Sequence, residues 1–379
     1  MKLAAVFAPG FEKVIPSVLK HFLPDAKEIK ITSGFVRFSL DKDPFRASKL
    51  DFFNNVFLII NEWGGQLSFE AMCKKMLNGN FPSIIEKEIR RQHFKSFRIR
   101  YSKANQFMPV NKSMCGSMEK AISQFFTMKT DRLGGDTEFW FFTRRENFSA
   151  FALRMTKKQS TEKYLNQGEL RPEFVTLLAG FAGLLPDKNR SITILDPFAG
   201  YGGIVKQIHK MLPKSRIYAS EIENNLVEDL KHHFLVQKKS TGQSKDSIVP
   251  GETVTINSCS ATNLSYLADQ SVDVVITDPP WGFWKAEIRD DKALEELYDG
   301  MLKEFCRVIK PEGKICILTA AKETFEKCFQ RSAFAKSSSQ ISSQFSATSS
   351  TFLLNEKDAD FRTDVLVNGK KAAVYLIKA

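Results

Sequence analysis

Apolar and polar positions recur with different periods along this 379-residue chain, and the changes of period divide it into elements. Residues 2–7 form an apolar run closed by Pro9-Gly10, which predicts a strand. Over residues 11–22, Val14, Val18, Leu19 and Phe22 share one stripe, the mark of a helix. Residues 28–32 and 35–40 alternate about Ser33-Gly34 and predict a hairpin. Pro44 suits the first position of a helix over 43–53. Residues 55–63 contain the buried-strand run Val56-Phe-Leu-Ile-Ile60, and Gly64-Gly65 ends it. Helices are then expected over 68–77, 82–92 and 113–128, and strands over 97–102, 137–142 and 148–155. The last two strands join through Arg144-Arg145-Glu146-Asn147.

The pattern changes again after a polar stretch at 156–167, read as a linker. A helix is expected over 172–185, then a strand over 191–195 that runs into Asp196-Pro-Phe-Ala-Gly200-Tyr-Gly202-Gly203 and a helix over 204–212. Further strands are expected over 216–220, 253–257, 272–276 and 313–318, with a mostly helical stretch over 290–308. A closing hairpin over 363–367 and 372–377 turns at Asn368-Gly369. Residues 332–351 are rich in Ser and Gln and read as a flexible loop. The first 63 residues thus follow the β-α-β-β-α-β order of a ferredoxin-like unit. The second half starts with strand, glycine loop and helix, the first turn of a doubly wound α/β fold.

Composition narrows the class. Hydrophobic content of 43% and charged content of 26% are those of a globular protein. The 33 phenylalanines fall mostly in periodic segments and are expected in the core. No apolar run approaches the ~20 residues of a membrane span, and residues 1–10 are too short for a secretory leader. The six cysteines form no C-x-x-C pair, which argues for reduced thiols, a cytoplasmic setting and no metal site. The net charge of +12 is uneven. Residues 1–170 hold 28 Lys+Arg against 17 Asp+Glu, whereas residues 171–379 hold 27 against 26. A polyanion held by the N-terminal half would account for this.

Candidate chemistry lies at three places in the second half. The strand at 272–276 stops at Asp278-Pro279-Pro280-Trp281, because neither proline has an N–H to extend a sheet. A carboxylate and rigid carbonyls accept from an NH2 group, and an indole gives a base a face to stack on. The glycine loop lets a ligand approach the backbone at Gly200 and Gly202. Glu221, about twenty residues later, stands where a carboxylate binds a ribose diol. Phe283 and Trp284 are further candidates for lining a base pocket.

The exit Asp278-Pro279-Pro280-Trp281 resembles the signature of methyltransferases that act on planar amines. The run from Asp196 to Gly202 resembles motif I of S-adenosylmethionine enzymes acting on nucleobase amines. The α-α-β-α-β-β order after Gly65, with the basic strand Phe97-Arg98-Ile99-Arg100, resembles a THUMP domain. Over most of its length the chain is similar to THUMP-containing tRNA guanine-N2 methyltransferases. The resemblance implies a ferredoxin-like domain at 1–63, a THUMP domain at 64–156, a linker and leading helix at 157–189, and a Rossmann-like class I methyltransferase domain at 190–379. It implies S-adenosylmethionine as cofactor, held by Asp196, Phe198, Gly200, Gly202, Glu221, Ser260 and Ala261. Ser260 stands where the family usually has Asp, and Gly203 where it often has Thr. The resemblance further implies in-line methyl transfer to a flipped guanosine near the tRNA acceptor stem. Asp278, Pro279, Pro280 and Trp281 would form the catalytic set. Arg90, Arg91, Lys95, Arg98, Arg100 and Lys103 are the phosphate-contact candidates, with Lys87 in the same run. A monomer is expected, and a small activating subunit stays open. Asp-Pro-Pro-Trp also occurs in adenine-N6 methyltransferases, so methylation of adenine in RNA or DNA is the alternative reading. Methylation of a protein glutamine and a non-catalytic RNA-binding role complete the set.

Overall fold

The computed structural model describes residues 1–156, 165–166, 168–240, 253–282, 291–334, 362–367 and 369–379. Most of the Ser-rich stretch at 332–351 and most of the expected linker lie outside them. The chain divides into two compact units, Met1–Glu12 with Leu19–Lys163, and Lys13–Val18 with Tyr164–Ala379. No helix among the described residues is long and apolar enough to cross a membrane.

The N-terminal elements are β1 (Lys2–Val6), α1 (Ile15–Phe22), β2 (Lys27–Thr32), β3 (Phe35–Ser39), β4 (Asn55–Gly64), α2 (Phe69–Leu77), α3 (Ser83–Arg90), β5 (Ser96–Lys103), β6 (Gln106–Phe107), α4 (Lys112–Phe126), β7 (Lys129–Thr130), β8 (Thr137–Arg144) and β9 (Phe148–Arg154). Side-chain caps set two helix starts. Ser68 accepts from Ala71 N at 3.2 Å, and Asn111 accepts from Met114 N at 3.1 Å. The helix expected over 43–53 is instead a 3-10 turn, Pro44–Lys49. Asp43 sits at φ 39 and makes no side-chain cap bond, so Pro44 starts a turn that has lost its N-cap.

All nine strands form one sheet in the order β2-β3-β1-β4-β9-β8-β5-β6, with β7 on β5. The expected border at 63/64 therefore falls inside a strand. β4 pairs antiparallel with β1 through Leu3↔Leu58 and with β9 through Trp63↔Ser149 and Gly64↔Phe148. On one face of the sheet, phenyl rings anchor the helices. Phe69 of α2 meets Tyr101 at 5.4 Å and Phe141 at 5.1 Å, and Phe126 of α4 meets Phe139 at 5.4 Å. The other face carries Phe35, Phe57, Phe142 and Phe148 around Ala4, Ala150 and Ala152. Arginines lie across these rings, Arg37 at 4.3 Å over Phe148 and Arg144 at 4.3 Å over Phe35.

The second unit contains α5 (Pro172–Phe181), β10 (Thr193–Asp196), α6 (Gly203–Met211), β11 (Arg216–Glu221), α7 (Asn224–Ser240), β12 (Val254–Ser258), β13 (Val272–Thr277), α8 (Asp291–Val308), β14 (Ile309–Thr319), α9 (Lys322–Arg331), β15 (Arg362–Val367) and β16 (Lys370–Lys378). The sheet order is β12-β11-β10-β13-β14-β16-β15. The five strands from β12 to β14 are parallel, and β16 inserts antiparallel between β14 and β15. This is the Rossmann-like class I arrangement expected for the second half. Helix α9 was not anticipated. Phe325, Cys328 and Phe329 of α9 join the core formed by α8, β13 and β14.

One buried charge ties together β5, β8 and β9 of the first sheet. Glu138 of β8 is 7% exposed, and Arg98 and Arg154 bond to it, as does the Trp140 indole. Burial pushes its carboxyl upward, but the bonds from Trp140, Arg154 and Arg98 outweigh this and hold it below the usual range. Glu138→Gln leaves these arginines without their counter-charge and is expected to cost about 3–5 kcal/mol in urea melts. A depressed folded-state pKa stabilises above the unfolded value and ceases to do so as pH falls through the folded one. The wild-type advantage over the variant should therefore be complete above about pH 4 and shrink on further acidification.

Candidate active site

Strands β12, β11, β10 and β13 are parallel neighbours, so their carboxyl ends share one edge of the sheet. That edge is where open α/β sheets present ligand-binding groups. Asp196 ends β10 and is 1% exposed. Its Oδ1 accepts from Thr277 Oγ1 at 2.8 Å and from Phe198 N at 3.3 Å. Its Oδ2 is buried and has no hydrogen-bond partner among the described residues. Burial raises this carboxyl to about 7, against the bonds from Thr277 and Phe198, and the nearby Glu221 charge adds to the rise.

The glycine loop is tied to β11 by Glu221. Gly200 N donates to Glu221 Oε2 at 2.9 Å, while Ile222 N and Glu223 N donate to Oε1 at 2.8 and 3.0 Å. Gly202 has φ +81, and a Cβ there would collide with Leu230 Cδ2 of α7. Gly200 has φ +51 but faces open space. Phe198 packs, partly buried, on the core of this unit, and Ala261 is buried in the same cluster. The Ser260 hydroxyl is used locally, 2.8 Å from Thr262 Oγ1 and accepting from Thr262 N at 3.2 Å. Next to Glu221, Ile222 is 65% exposed, an apolar surface that the sequence did not single out.

Asp278 follows β13 and is partly buried. Burial raises it to about 8, a bond from Trp281 opposes the rise, and the Asp196 charge adds to it. The Trp281 indole Nε1 donates to Asp278 Oδ1 at 2.8 Å. The Pro280 carbonyl accepts from the hydroxyl of Tyr298 on α8 at 2.9 Å. Tyr298 is fully buried, and its hydroxyl lies 2.7 Å from Thr319 Oγ1 at the end of β14. Thr277, Tyr298 and Thr319 are site residues that the sequence reading missed. In the sequence, Tyr298 falls in the apolar stripe of its helix, with Leu294, Met301, Leu302 and Phe305, and nothing there marks its hydroxyl as engaged. Phe283 and Trp284 lie outside the described residues.

The basic run of the first unit is split between two faces. Arg90 and Arg91 belong to α3 and its end, where Arg90 bonds Glu86, Thr127 and the Phe125 carbonyl, and Arg91 bonds Glu88. On β5, Phe97 and Tyr101 face the helices, so Arg98 and Arg100 face the other way. Both contact Glu138, and Arg100 also lies 5.4 Å over the exposed ring of Phe107. Lys87, Lys95 and Lys103 are exposed. The sequence brings these residues into one run, whereas strand alternation and the nearby carboxylates disperse them.

Gly202→Ala should be the more damaging of two glycine substitutions. At Gly200 the cost is the left-handed conformation, about 1–2 kcal/mol. At Gly202 that cost is joined by overpacking against Leu230, typically ~1–3 kcal/mol. Chemical denaturation of the two variants measures the difference.

Residues 159–346 match a family model described as UPF0020, RMKL-like, methyltransferase domain. Among solved structures the chain is similar to TrmN from Thermus thermophilus, with a TM-score of 0.69 and 17% identity over 100% of this chain and 99% of that one. It is also similar to SMU.472, solved in complex with SAH, with a TM-score of 0.60 and 12% identity over 99% and 97% of the two chains. A predicted N6-adenine-specific DNA methylase from Listeria monocytogenes gives a TM-score of 0.58 and 13% identity over 99% and 95%. At these identities the structural likeness speaks for the fold. No curated protein matches the chain in sequence. The family model covers the glycine loop, Glu221 and the Pro-Pro exit together, and this chain accordingly carries a methyltransferase domain of the UPF0020, RMKL-like family.

Proposed function

We propose that the protein methylates the exocyclic N2 amine of a guanosine in the acceptor-stem region of tRNA. The cofactor is S-adenosylmethionine. The observation that carries this reading is the exit Asp278-Pro279-Pro280-Trp281 at the end of β13, beside the buried Asp196. A carboxylate, rigid carbonyls and an indole face suit a planar amine, and few other substrates need all three. The THUMP-like order of the first unit and the excess of 28 basic over 17 acidic residues across 1–170 favour RNA as its carrier. The protein would act in the cytoplasm as a monomer.

The residues present fit the cofactor. The unpartnered Asp196 Oδ2 is a buried acceptor suited to the ammonium of a methionine moiety. Glu221 accepts three backbone N–H groups and, as a carboxylate with about four acceptor positions, keeps capacity for a ribose hydroxyl. Ile222 gives an apolar face for adenine. The Ser260 hydroxyl, already engaged with Thr262, is the weakest member of the set.

S-adenosylmethionine, when bound, supplies the electrophilic methyl that the amine nitrogen takes as the sulfur–carbon bond breaks. Asp278 accepts a hydrogen bond from the amine, draws its lone pair out of conjugation with the ring, and receives the proton released after attack. Trp281 stacks on the flipped base. These groups act by orientation and charge, because the leaving sulfide needs no activation. Asp-Pro-Pro-Trp, together with the likeness to a protein named as an N6-adenine DNA methylase, favours adenine N6 as the second reading.

Methyl transfer from labelled cofactor to unmodified tRNA, with duplex DNA in parallel and nucleoside analysis of the product, tests the proposal. Labelled N2-methylguanosine, lost in Asp278→Ala, is the expected result. Labelled N6-methyladenosine would transfer the assignment to adenine, and no labelled nucleoside from any nucleic acid would overturn it. The pH profile gives a second test. Asp278 can take up the released proton only when ionised, and its carboxyl stands at about 8 with Asp196 at about 7. The apparent kcat/KM should rise with pH through this range, with values that belong to the coupled pair. Cofactor affinity measured by calorimetry should tighten over the same range as Asp196 ionises.

A further inference from the structure

The Pro-Pro exit offers more acceptors than an amine can use, and two side chains remove the surplus. The Trp281 indole occupies Asp278 Oδ1 at 2.8 Å. The Tyr298 hydroxyl donates to the Pro280 carbonyl at 2.9 Å, backed by Thr319 Oγ1 at 2.7 Å. Thr319 Oγ1 in turn accepts from Ala321 N at 3.0 Å, which fixes it at the end of β14. We propose that Trp281 and Tyr298 are positioning residues. Each takes one acceptor out of competition, so that the amine meets the remaining Asp278 oxygen and the Pro279 carbonyl. This rests on the reading of Asp278 as the amine acceptor.

The geometry has a consequence for which residue can stand at 278. A carboxylate has two accepting oxygens, one for the indole N–H and one for the substrate. An asparagine has one. The Trp281 N–H would select that oxygen and turn the Asn amide NH2, a donor, toward the substrate amine. In this chain Asp278 and Trp281 therefore form a matched pair, in which the tryptophan requires the acid. A phenylalanine at 281 keeps a stacking face but has no N–H, so it frees an asparagine to present its oxygen to the amine.

The test is a rescue. Asp278→Asn should lower kcat by about a hundredfold, the scale of a misplaced reacting group, with a thermal midpoint close to wild type. Trp281→Phe alone should cost roughly tenfold. The double variant Asp278→Asn with Trp281→Phe should regain most of the Asp278→Asn loss and match Trp281→Phe. A double variant no better than Asp278→Asn, or an Asp278→Asn variant as active as wild type, overturns the pairing. For Tyr298, the Phe variant should reduce kcat roughly tenfold or more without changing the KM for RNA. Thr319→Val should reproduce that loss and Thr319→Ser should restore activity. A fall in cofactor affinity parallel to the fall in kcat would mark Tyr298 as merely structural. Amide exchange needs no substrate. Tyr298→Phe should speed exchange at Trp281 and Gly282 and leave the segment around Glu221 unchanged, and equal rates in variant and wild type would sink the Tyr298 assignment. A wild type that methylates no nucleic acid would overturn the functional reading instead, while the exchange result still decides whether Tyr298 holds the exit.

Discussion

Two carboxyl groups at adjacent strand ends, Asp196 buried and Asp278 partly so, are the constraint that the second unit is built around. β10 and β13 run parallel in the register Ile194↔Val274 and Leu195↔Val275, so Asp196 meets Thr277 at the end of β13, with Asp278 the next residue along. The apolar strand interiors of β10 and β13 exclude water beneath them, burial raises both pKa values, and the Asp196 charge adds to the rise at Asp278. Such a pair is poorly satisfied by the protein alone: Asp196 has one oxygen without a partner, and Asp278 shares one of its own with an indole. Carboxyl groups held this way are poised to gain from a cationic ligand, which is how a folded core stores affinity for a charged small molecule.

What could be read from the sequence follows from how local each constraint is. The glycine loop, Glu221 and the Pro-Pro exit were legible because backbone requirements dictate them: a left-handed loop, a strand end, two missing N–H groups. The hydroxyls that complete the site were not legible. Thr277 finds its partner 81 residues away, and Tyr298 meets residues 18 and 21 positions distant. No periodicity reports such contacts. Tyr298 satisfied the apolar stripe of its helix, and its polar end was hidden by that fit. Helix α9 was in principle readable, since Phe325, Cys328 and Phe329 recur at helical spacing. The helix expected over 43–53 failed on a cap, a detail of one residue's φ angle.

Charge was the least faithful guide. A run rich in Lys and Arg supplied the phosphate-contact candidates, and Glu86, Glu88 and Glu138 each hold arginines from it. Elsewhere in the same unit, guanidinium groups of Arg37 and Arg144 lie 4.3 Å over phenyl rings. Arginine there serves as a lid for aromatic carbon as much as a positive charge, using its planar, weakly hydrated head. The excess of basic residues over 1–170 therefore overstates the free positive potential. Exposed lysines such as Lys87, Lys95 and Lys103 are better measures of it.

The continuity of the first sheet bears on how this part of the chain can change over time. β4 hydrogen-bonds to β1 on one side and to β9 on the other, so neither half of the sheet has an edge of its own at that place. Recombination that broke the chain near residue 64 would expose a row of unpaired backbone groups on an aromatic-rich strand, a template for aggregation. The nine strands within residues 1–156 are thus bound to change together, whatever separate origins their two folding patterns suggest.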